Sequence, residues 1–316
     1  MLEEEKLRDP WLVAVWPGMG SVAITAGYYL MAKLEMHLLA EFAAGEFFEI
    51  GHVNVKEGMI QRASLPRSRM FLWKDPNRKR DLIVFLGEAQ PPARGVAFCR
   101  QLIAHAKTLG VVRVFTFAAM ATRMRPEHEP TVFGAAIDRE TLDEFKQLDV
   151  KALEEGEIGG LNGVLLGVAA ENGLRGGCLL GEMPAVFSQL PFPRAALGVL
   201  EFFTLMAGTS IDFTELREQA NQVSSRLADF LRQIEKSLSE AEAGAAESVA
   251  PTPEEIEEDV PHLDAHQRQR IETLFDEARA DRSKAYLLKR ELDRLKAFHE
   301  YEDRFLDLFQ KPDKDG

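Results

Sequence analysis

Short apolar runs alternate with longer amphipathic segments along the first 210 residues. Runs of aromatic and β-branched residues between turn residues predict buried strands, whereas apolar residues every three or four positions predict helices. We predict helices over residues 20–35 and 93–109. The strands are predicted at 11–16, 81–86, 111–117, 163–170 and 178–180, with short extended pieces at 52–55, 58–62 and 70–73. Alternating strands and helices predict an α/β protein with helices on both faces of the sheet, and the short pieces make the sheet mixed.

Individual turns and faces refine this pattern. The second helix is predicted to end at Gly110, and a turn at Gly176-Gly177 is predicted to precede the last short strand. In the helix predicted over residues 93–109, the apolar positions share one face that is predicted to be buried. This face comprises Val96, Cys99, Leu102, Ile103 and Ala106.

The character of the chain changes after residue 211. Asp212 and Glu215 form a helix-start signal, and an apolar stripe at helical spacing follows it. Residues 240–260 carry eight acidic residues and no basic one, with two prolines, which predicts a flexible linker. A second helical pattern then continues to the end and lapses near 281–283, and we expect residues 265–310 to bury its apolar stripe against the domain or a neighbouring subunit. We expect an α/β/α domain over 1–240, an acidic linker over 241–263 and a helical C-terminal extension over 264–316.

The composition of the chain argues against several classes of partner and site. A formal net charge of −13 argues against nucleic-acid partners and anionic membrane surfaces. Cys99 and Cys178 lie far apart in apolar surroundings, which predicts two buried thiols rather than a redox pair or metal site. The acidic start does not resemble a signal peptide, and apolar runs are too short for a membrane span. We therefore expect a cytoplasmic chain without nucleic-acid or membrane partners.

The stretch VAVWPGMGSVA, residues 13–23, joins the first strand to the first helix. Its Gly18, Gly20 and Ala23 match the G-x-G-x-x-A spacing of dinucleotide-binding turns. Such a site also needs a second strand ending in an acid about 20 residues later. Glu41 has that position, but the preceding MHLLAEF lacks β-branched residues and favours helix or connection. We favour a turn that packs a helix against the sheet, with phosphate binding as the alternative.

Two loops at the predicted carboxyl edge of the sheet carry the remaining candidate residues. Arg123, Arg125 and His128 follow one strand, and Glu88 and Gln90 follow another. They could bind an anion or form an acid/base pair, although a mixed-charge surface loop is the favoured interpretation.

No nucleophile stands beside an evident base, and no hydrolase, zinc-protease or phosphate-loop motif occurs. The spacing of His262 and His266 would suit two metal ligands, but a solvated helix start is favoured. We therefore predict no catalytic set, metal or cofactor.

The order of five motifs resembles the proteasome assembly chaperone family of the second-chaperone type. These are PGMG at 17–20, GEAQP at 87–91, GGLNGVLL at 159–166, GE at 181–182 and PFPRAA at 191–196. The resemblance covers about residues 10–235. It implies a three-layer α/β/α sandwich like that of nucleoside phosphorylases and peptidyl-hydrolase-like proteins, with no established catalytic set.

Family members studied as chaperones bind proteasome α subunits, several bacterial relatives look like oligomers, and some are labelled ATP-dependent ligases. The resemblance thus implies a non-catalytic protein-binding protein that self-associates, with proteasome subunits as partners if the host has them. The alternatives are an enzyme acting on a small anionic or nucleoside-like substrate, or one of the ligase type. The hydrophobic-Tyr-X ending by which many family members dock is absent from the final residues, QKPDKDG.

Overall fold

A computed structural model describes residues 6–49, 53, 55–56, 58–60, 65–243 and 263–310. Ten strands lie in this part of the chain. They are β1 (Trp11–Val15), β2 (His37–Glu41), β3 (Val55–Lys56), β4 (Met59–Ile60), β5 (Ser68–Trp73), β6 (Leu82–Gly87), β7 (Arg113–Thr122), β8 (Val132–Ala136), β9 (Lys151–Ala152) and β10 (Arg175–Pro184).

The helices of the described residues are more numerous after residue 190. They are α1 (Val22–Lys33), α2 (Gly95–Thr108), α3 (Arg139–Gln147), α4 (Gly160–Glu171), α5 (Pro193–Ala207), α6 (Thr214–Ala243), α7 (Ala265–Ala280), α8 (Ala285–Arg294) and α9 (Phe298–Asp307). A 3-10 turn over Arg282–Lys284 separates α7 from α8, where the apolar stripe was predicted to lapse.

Eight strands form one mixed sheet in the order β2-β5-β6-β1-β7-β10-β8-β9. The central strands β6, β1, β7 and β10 are parallel. β5 runs antiparallel to both of its neighbours, whereas β8 is antiparallel to β10 and parallel to β9. β3 and β4 form a separate two-stranded hairpin. The predicted mixed α/β sheet is confirmed.

Each face of the sheet carries its own apolar core. One core combines the inward side chains of β1, β7 and β10 with α1 and α5, and it includes Trp11, Phe115 and Phe203. The other lies beneath α2 and α4 and includes Phe85 and Phe98. Helices on both faces make the three layers of an α/β/α sandwich.

Helices α7, α8 and α9 continue the first core. Tyr28 and Tyr29 of α1 meet Phe305 and Tyr286 at ring-centroid distances of 5.6 and 4.6 Å. The Leu38 amide of the edge strand β2 donates to the Phe309 carbonyl at 2.6 Å. The apolar stripe of residues 265–310 therefore packs against the same chain.

Several local predictions are wrong. Residues 163–170 form part of helix α4 rather than a strand, because Leu161, Leu165 and Ala169 recur every four residues and are buried on the sheet. Residues 37–41 form the strand β2 rather than helix, because Glu35 takes a positive φ of 48° and β2 then pairs with β5. Both segments are short apolar runs, for which tertiary pairing outweighs local propensity.

Two further details differ from prediction. Val96 is exposed, and Phe98 takes a buried position on α2 instead. Gly176 and Gly177 lie inside β10 rather than in a turn, because they pair with Val114 and Phe115 of the parallel strand β7. A Cβ at Gly176 would stand 1.9 Å from the Val114 carbonyl oxygen, so this strand position requires glycine. Of the predicted linker, residues 241–243 end helix α6 and residues 244–262 lie outside the described residues.

Candidate functional site

A cleft of about 240 Å³ opens at the carboxyl ends of the parallel strands β1, β7 and β10. The β1–α1 turn contributes Gly18 and Met19, and the start of α4 contributes Gly160 and Asn162. Gln90, from the loop after β6, forms another part of the wall. This is the edge at which open α/β sheets usually bind ligands.

Gln90 holds two walls of the cleft together. Its Oε1 accepts a hydrogen bond from the Leu161 amide at 3.0 Å, and its Nε2 donates to the Pro17 carbonyl at 3.4 Å. The first bond satisfies one of the free amides at the start of α4. Gly160 has φ +65°, and a Cβ there would lie 2.6 Å from Gln90 Oε1. The residue therefore acts as a structural link between the β1–α1 turn and α4.

The backbone of the turn at Gly18 and Gly20 is hydrogen-bonded to the segment that follows β10. The Gly20 amide donates to the Ser188 carbonyl at 2.9 Å, and the Gly20 carbonyl accepts from the Phe192 amide at 2.9 Å. This amide is therefore already engaged within the fold and does not face the cleft as a phosphate donor. Gly18 lines the cleft, whereas Gly20 is buried beneath Met183.

Glu41, the acid that a dinucleotide site would require, does not lie on the strand beside the glycine turn. Glu41 ends β2, but β5 and β6 lie between β2 and β1. A dinucleotide fold places that acid on the strand beside the glycine turn. Here the Glu41 carboxylate pairs with Arg67 instead.

Glu88 points toward the C-terminal helices. Its carboxylate accepts from Arg69 Nη1 at 2.8 Å and from the Arg67 amide at 2.7 Å. Arg69 is 3% exposed and also donates to Asp303 of α9 at 2.6 Å. Glu88 therefore belongs to an ionic cluster that joins β5, β6 and α9, and it does not line the cleft.

The loop after β7 is tied to α5 and α6. Arg125 donates to Glu235 of α6 at 2.9 Å and to Glu127 at 2.9 Å. These bonds raise the Arg125 pKa, which keeps the guanidinium charged. Arg123 and His128 are exposed, and neither lines the cleft. Of the predicted site residues, the cleft therefore brings together only Gly18 and Gln90.

Three polar residues near this edge were missed by sequence reasoning. Glu157 and Asn162 line the cleft, and Asn162 Oδ1 is buried with no hydrogen-bond partner among the described residues. Glu182 accepts from Thr122 Oγ1 at 2.7 Å and from the Thr131 amide at 2.9 Å. Burial opposes these bonds, but together they hold the Glu182 pKa below its ordinary value. The GGLNG motif at 159–163 could have located Asn162, had it been interpreted as a helix start.

The described residues hold no group of three or more His, Cys, Asp or Glu side chains placed to bind a metal. Cys99 and Cys178 are both buried, as predicted, and burial raises the pKa of each thiol to about 12. Thiols with such a pKa are poor nucleophiles at neutral pH. Among the helices described, none is long and apolar enough to cross a membrane.

This chain is similar to known proteins both in sequence and in structure. An uncharacterised Methanocaldococcus jannaschii protein, MJ1210, is 27% identical over 262 residues, which are 80% of this chain and 93% of that protein. The crystal structure of Pyrococcus furiosus PbaB, described as an archaeal proteasome activator, is 25% identical with a TM-score of 0.60. It covers 74% of this chain and 96% of PbaB.

A second solved structure shows the same fold at lower identity. The Mycobacterium tuberculosis proteasome-assembly chaperone homologue Rv2125 is 19% identical with a TM-score of 0.60, covering 70% of this chain and 94% of that protein. The model of the PAC2 family matches residues 12–231, which include both walls of the cleft and most of α6. The chain therefore belongs to the PAC2 family.

Proposed function

We propose that this protein is a non-catalytic, protein-binding protein of the assembly-chaperone type, which self-associates and acts in the cytoplasm. Its proposed partners are proteasome subunits where the host has a proteasome. Family membership and the description of PbaB as a proteasome activator support this direction.

The observation that carries the proposal is the exposure of large apolar side chains in two groups. One group lies on and just before the β3–β4 hairpin and comprises Val53, Val55, Met59 and Ile60, each 46% to 72% exposed. The other lies beside the outer half of α6 and comprises Met19, Val186, Leu190, Phe230 and Ile234. Grouped apolar side chains on a surface typically mark protein interaction sites.

The test is direct binding of the full chain to separated proteasome α subunits from its own host, followed by biolayer interferometry. We expect saturable binding to α subunits and none to β subunits, which serve as the matched control protein. Absence of a complex with α subunits and with the assembled core particle would contradict the proposed partner.

The cleft supports a second candidate, a small-molecule binding protein or an enzyme. The charged residues predicted for that role, Glu88, Arg123 and Arg125, lie outside the cleft walls, and this weakens the candidate. A thermal-shift screen with nucleotides and dinucleotides tests it. We expect no shift, and a reproducible rise in melting temperature with one ligand class would favour the second candidate.

A further inference from the structure

The cleft at the carboxyl ends of β1, β7 and β10 lies between two unlike rims. The start of α4 forms one wall, and α4 covers one face of the sheet together with α2. The β1–α1 turn forms the other wall and leads to α1 on the opposite face. The loop before α4 is acidic, whereas the turn and the loop after β10 expose apolar side chains. A molecule that lies across this edge therefore meets charge on one side and apolar surface on the other.

The first side of the cleft, which we call the acidic rim, comprises Glu154, Glu155 and Glu157. All three side chains are exposed, and Glu157 lines the cleft. Within the described part of the chain, none of them forms an ion pair or a side-chain hydrogen bond. The dipole of α4 favours acids within the first turn of the helix, whereas Glu154 and Glu155 precede the N-cap residue Gly159 by five and four positions. Stabilisation of the helix therefore does not account for these two charges.

Two cations on neighbouring elements are engaged elsewhere. Lys151 of β9 lies 5.3 Å from the centre of the Phe133 ring. Arg94, which precedes α2, pairs with Glu46 at 3.8 Å. Arg123 follows β7 and does not line the cleft. The acidic rim therefore keeps a negative charge that attracts a basic group at short range.

The second side of the cleft, which we call the apolar rim, comprises Met19, Val186 and Leu190. These side chains are 45%, 72% and 45% exposed, and Met19 lines the cleft. A hydrogen bond from the Gly20 amide to the Ser188 carbonyl joins the two segments that carry them. Exposed apolar side chains on segments held in this way form a fixed surface for a partner to cover.

The lining between the rims contains a polar atom without a partner. Asn162 Oδ1 is buried and has no hydrogen-bond partner among the described residues. Buried polar atoms are normally paired, and an extended backbone supplies amide donors of the kind that this oxygen lacks. The rest of the lining includes small residues that let a main chain approach closely, namely Ala118, Ala119, Gly159 and Gly160.

We propose that the cleft and its two rims bind an extended segment of a partner protein in which basic and apolar residues alternate. Successive side chains of an extended chain point to opposite sides, so the basic ones face the acidic rim while the apolar ones cover the apolar rim. The cleft, at about 240 Å³, is smaller than the roughly 300–1,000 Å³ of pockets that enclose a small ligand, which favours a chain that passes across it. The inference rests on the protein-binding part of the proposed function and adds the sequence pattern that the partner presents.

The test measures the binding of labelled hexapeptides to the full chain by fluorescence anisotropy. One peptide alternates lysine and leucine, the second has the same residues in two blocks, and the third alternates glutamate and leucine. The net charge of −13 attracts the first two alike, and only the first matches both rims. We expect it to bind at least about fivefold tighter than the second, with no binding of the third. Equal affinities for the first two, or no binding of the first at about 1 mM, would overturn the inference.

Paired charge variants separate local contacts from long-range attraction. Glu154→Gln/Glu157→Gln should weaken binding of the alternating lysine peptide by about fivefold, because it removes charges that the lysines meet directly. Glu171→Gln/Glu218→Gln changes the net charge equally and should weaken it by less than about twofold. Both control acids are exposed and lie toward the opposite edge of the sheet, at the end of α4 and near the start of α6. Equal losses would show attraction by net charge alone and overturn the inference.

A blocking variant does not depend on charge. Gly18 and Gly159 lie in the two walls of the cleft, and a Cβ at either has no atom within 4 Å. Gly18→Leu/Gly159→Leu should therefore narrow the cleft without strain and weaken the alternating lysine peptide by at least about tenfold. Gly167→Leu is the matched control, because Gly167 is exposed further along α4 with open space at its Cβ. Unchanged affinity in the blocking variant would overturn the inference.

Competition distinguishes other occupants of the cleft. Spermine carries repeated positive charges without apolar side chains, and it should displace the labelled peptide at least about tenfold less well than the unlabelled peptide does. Equal displacement would assign the cleft to small cations and overturn the inference. A two-chain particle in light scattering that the peptide converts to single chains would assign the cleft to a second copy, which also overturns it.

Binding to proteasome α subunits is measured on the same variants. If the peptide binds as expected and α subunits do not, the proposed partner is contradicted and the assignment of the cleft stands. If α subunits bind the native chain and the blocking variant equally while the peptide does not bind, the proposed function stands and the assignment of the cleft is overturned.

Discussion

The two glycines of the β1–α1 turn have different physical roles. Gly18 has extended backbone angles, with φ and ψ both −172°, and a Cβ added there would have no atom within 4 Å. Gly20 has φ +61°, and a Cβ there would lie 2.5 Å from Met183 Sδ. Only the second position therefore requires glycine for its conformation and its packing.

Gly20→Ala should lower the free energy of unfolding by about 1 to 3 kcal/mol, because it adds backbone strain and a contact with Met183. Gly18→Ala is the matched control and should change it by less than about 0.5 kcal/mol. Urea denaturation of both variants provides the measurement. Equal losses would contradict the assignment of different roles to the two glycines.

Glu302 is a half-buried acid whose environment disfavours its charge. Burial raises its pKa, the negative charge of Glu88 raises it further, and the bond from Tyr28 only partly opposes these effects. The pKa of Glu302 is therefore higher in the folded protein than in the unfolded chain, where a glutamate has a pKa of about 4.3. Because the folded state binds the proton more tightly, this group stabilises the fold fully at pH values below the unfolded pKa. That contribution is lost as the pH rises through the folded pKa.

Glu302→Gln should therefore raise the melting temperature at pH 8, and the difference should vanish near pH 4. Glu272→Gln is the opposite case, because the bond from Arg304 lowers the Glu272 pKa although burial opposes it. This variant should be less stable at pH 8, with the difference disappearing as the acid is protonated at low pH. Melting curves across this pH range that show the same sign for both variants would contradict these pKa directions.

At the scale of elements, tertiary pairing decides the segments that local patterns leave ambiguous. Residues 163–170 and 37–41 are both short runs rich in apolar residues, yet the first is helical in α4 and the second is extended in β2. β2 lies at the sheet edge, where Arg69 of the adjacent β5 pairs with Glu41, Glu88 and Asp303. This cluster fixes α9 beside an edge strand that would otherwise be open on that side.

Arg69→Met should lower the free energy of unfolding by roughly 2 to 3 kcal/mol. The loss is below that of a fully buried pair, because Asp303 and Glu41 remain partly in solvent. The control is Arg139→Met, whose pair with Asp143 joins two exposed side chains and should contribute less than about 0.5 kcal/mol. Indistinguishable urea midpoints for the two variants would show that the cluster does not stabilise the fold.

At the scale of the molecule, the C-terminal helices complete the core of the family fold. The family match ends at residue 231, yet Phe275, Leu288, Leu292 and Phe305 are fully buried in the core that α1 shares. Sequence periodicity predicted that residues 265–310 bury a stripe but left open whether against this chain or a neighbour. Contacts with Tyr28 and Tyr29 place it on this chain.

Phe305→Ala should lower the free energy of unfolding by about 3 to 5 kcal/mol, as expected for removal of a fully buried phenylalanine. Leu205→Ala is the control at an exposed apolar position and should have little effect. Thermal and urea unfolding should remain a single transition in both variants. A separate early transition in the Phe305 variant would show that the C-terminal helices unfold independently.

The sequence by itself determined the α/β class, the first strand and helix, the buried cysteines and the break near residue 282, since each depends on local periodicity or composition. The motif order also identified the family. The tertiary structure decided which predicted site residues meet. Gly18 and Gln90 share a cleft, whereas Glu88 and Arg125 are held by partners on β5 and α6 that lie 19 and 110 residues away in the chain. Side-chain direction at a strand end depends on its distant partners, and a local pattern carries no information about those partners.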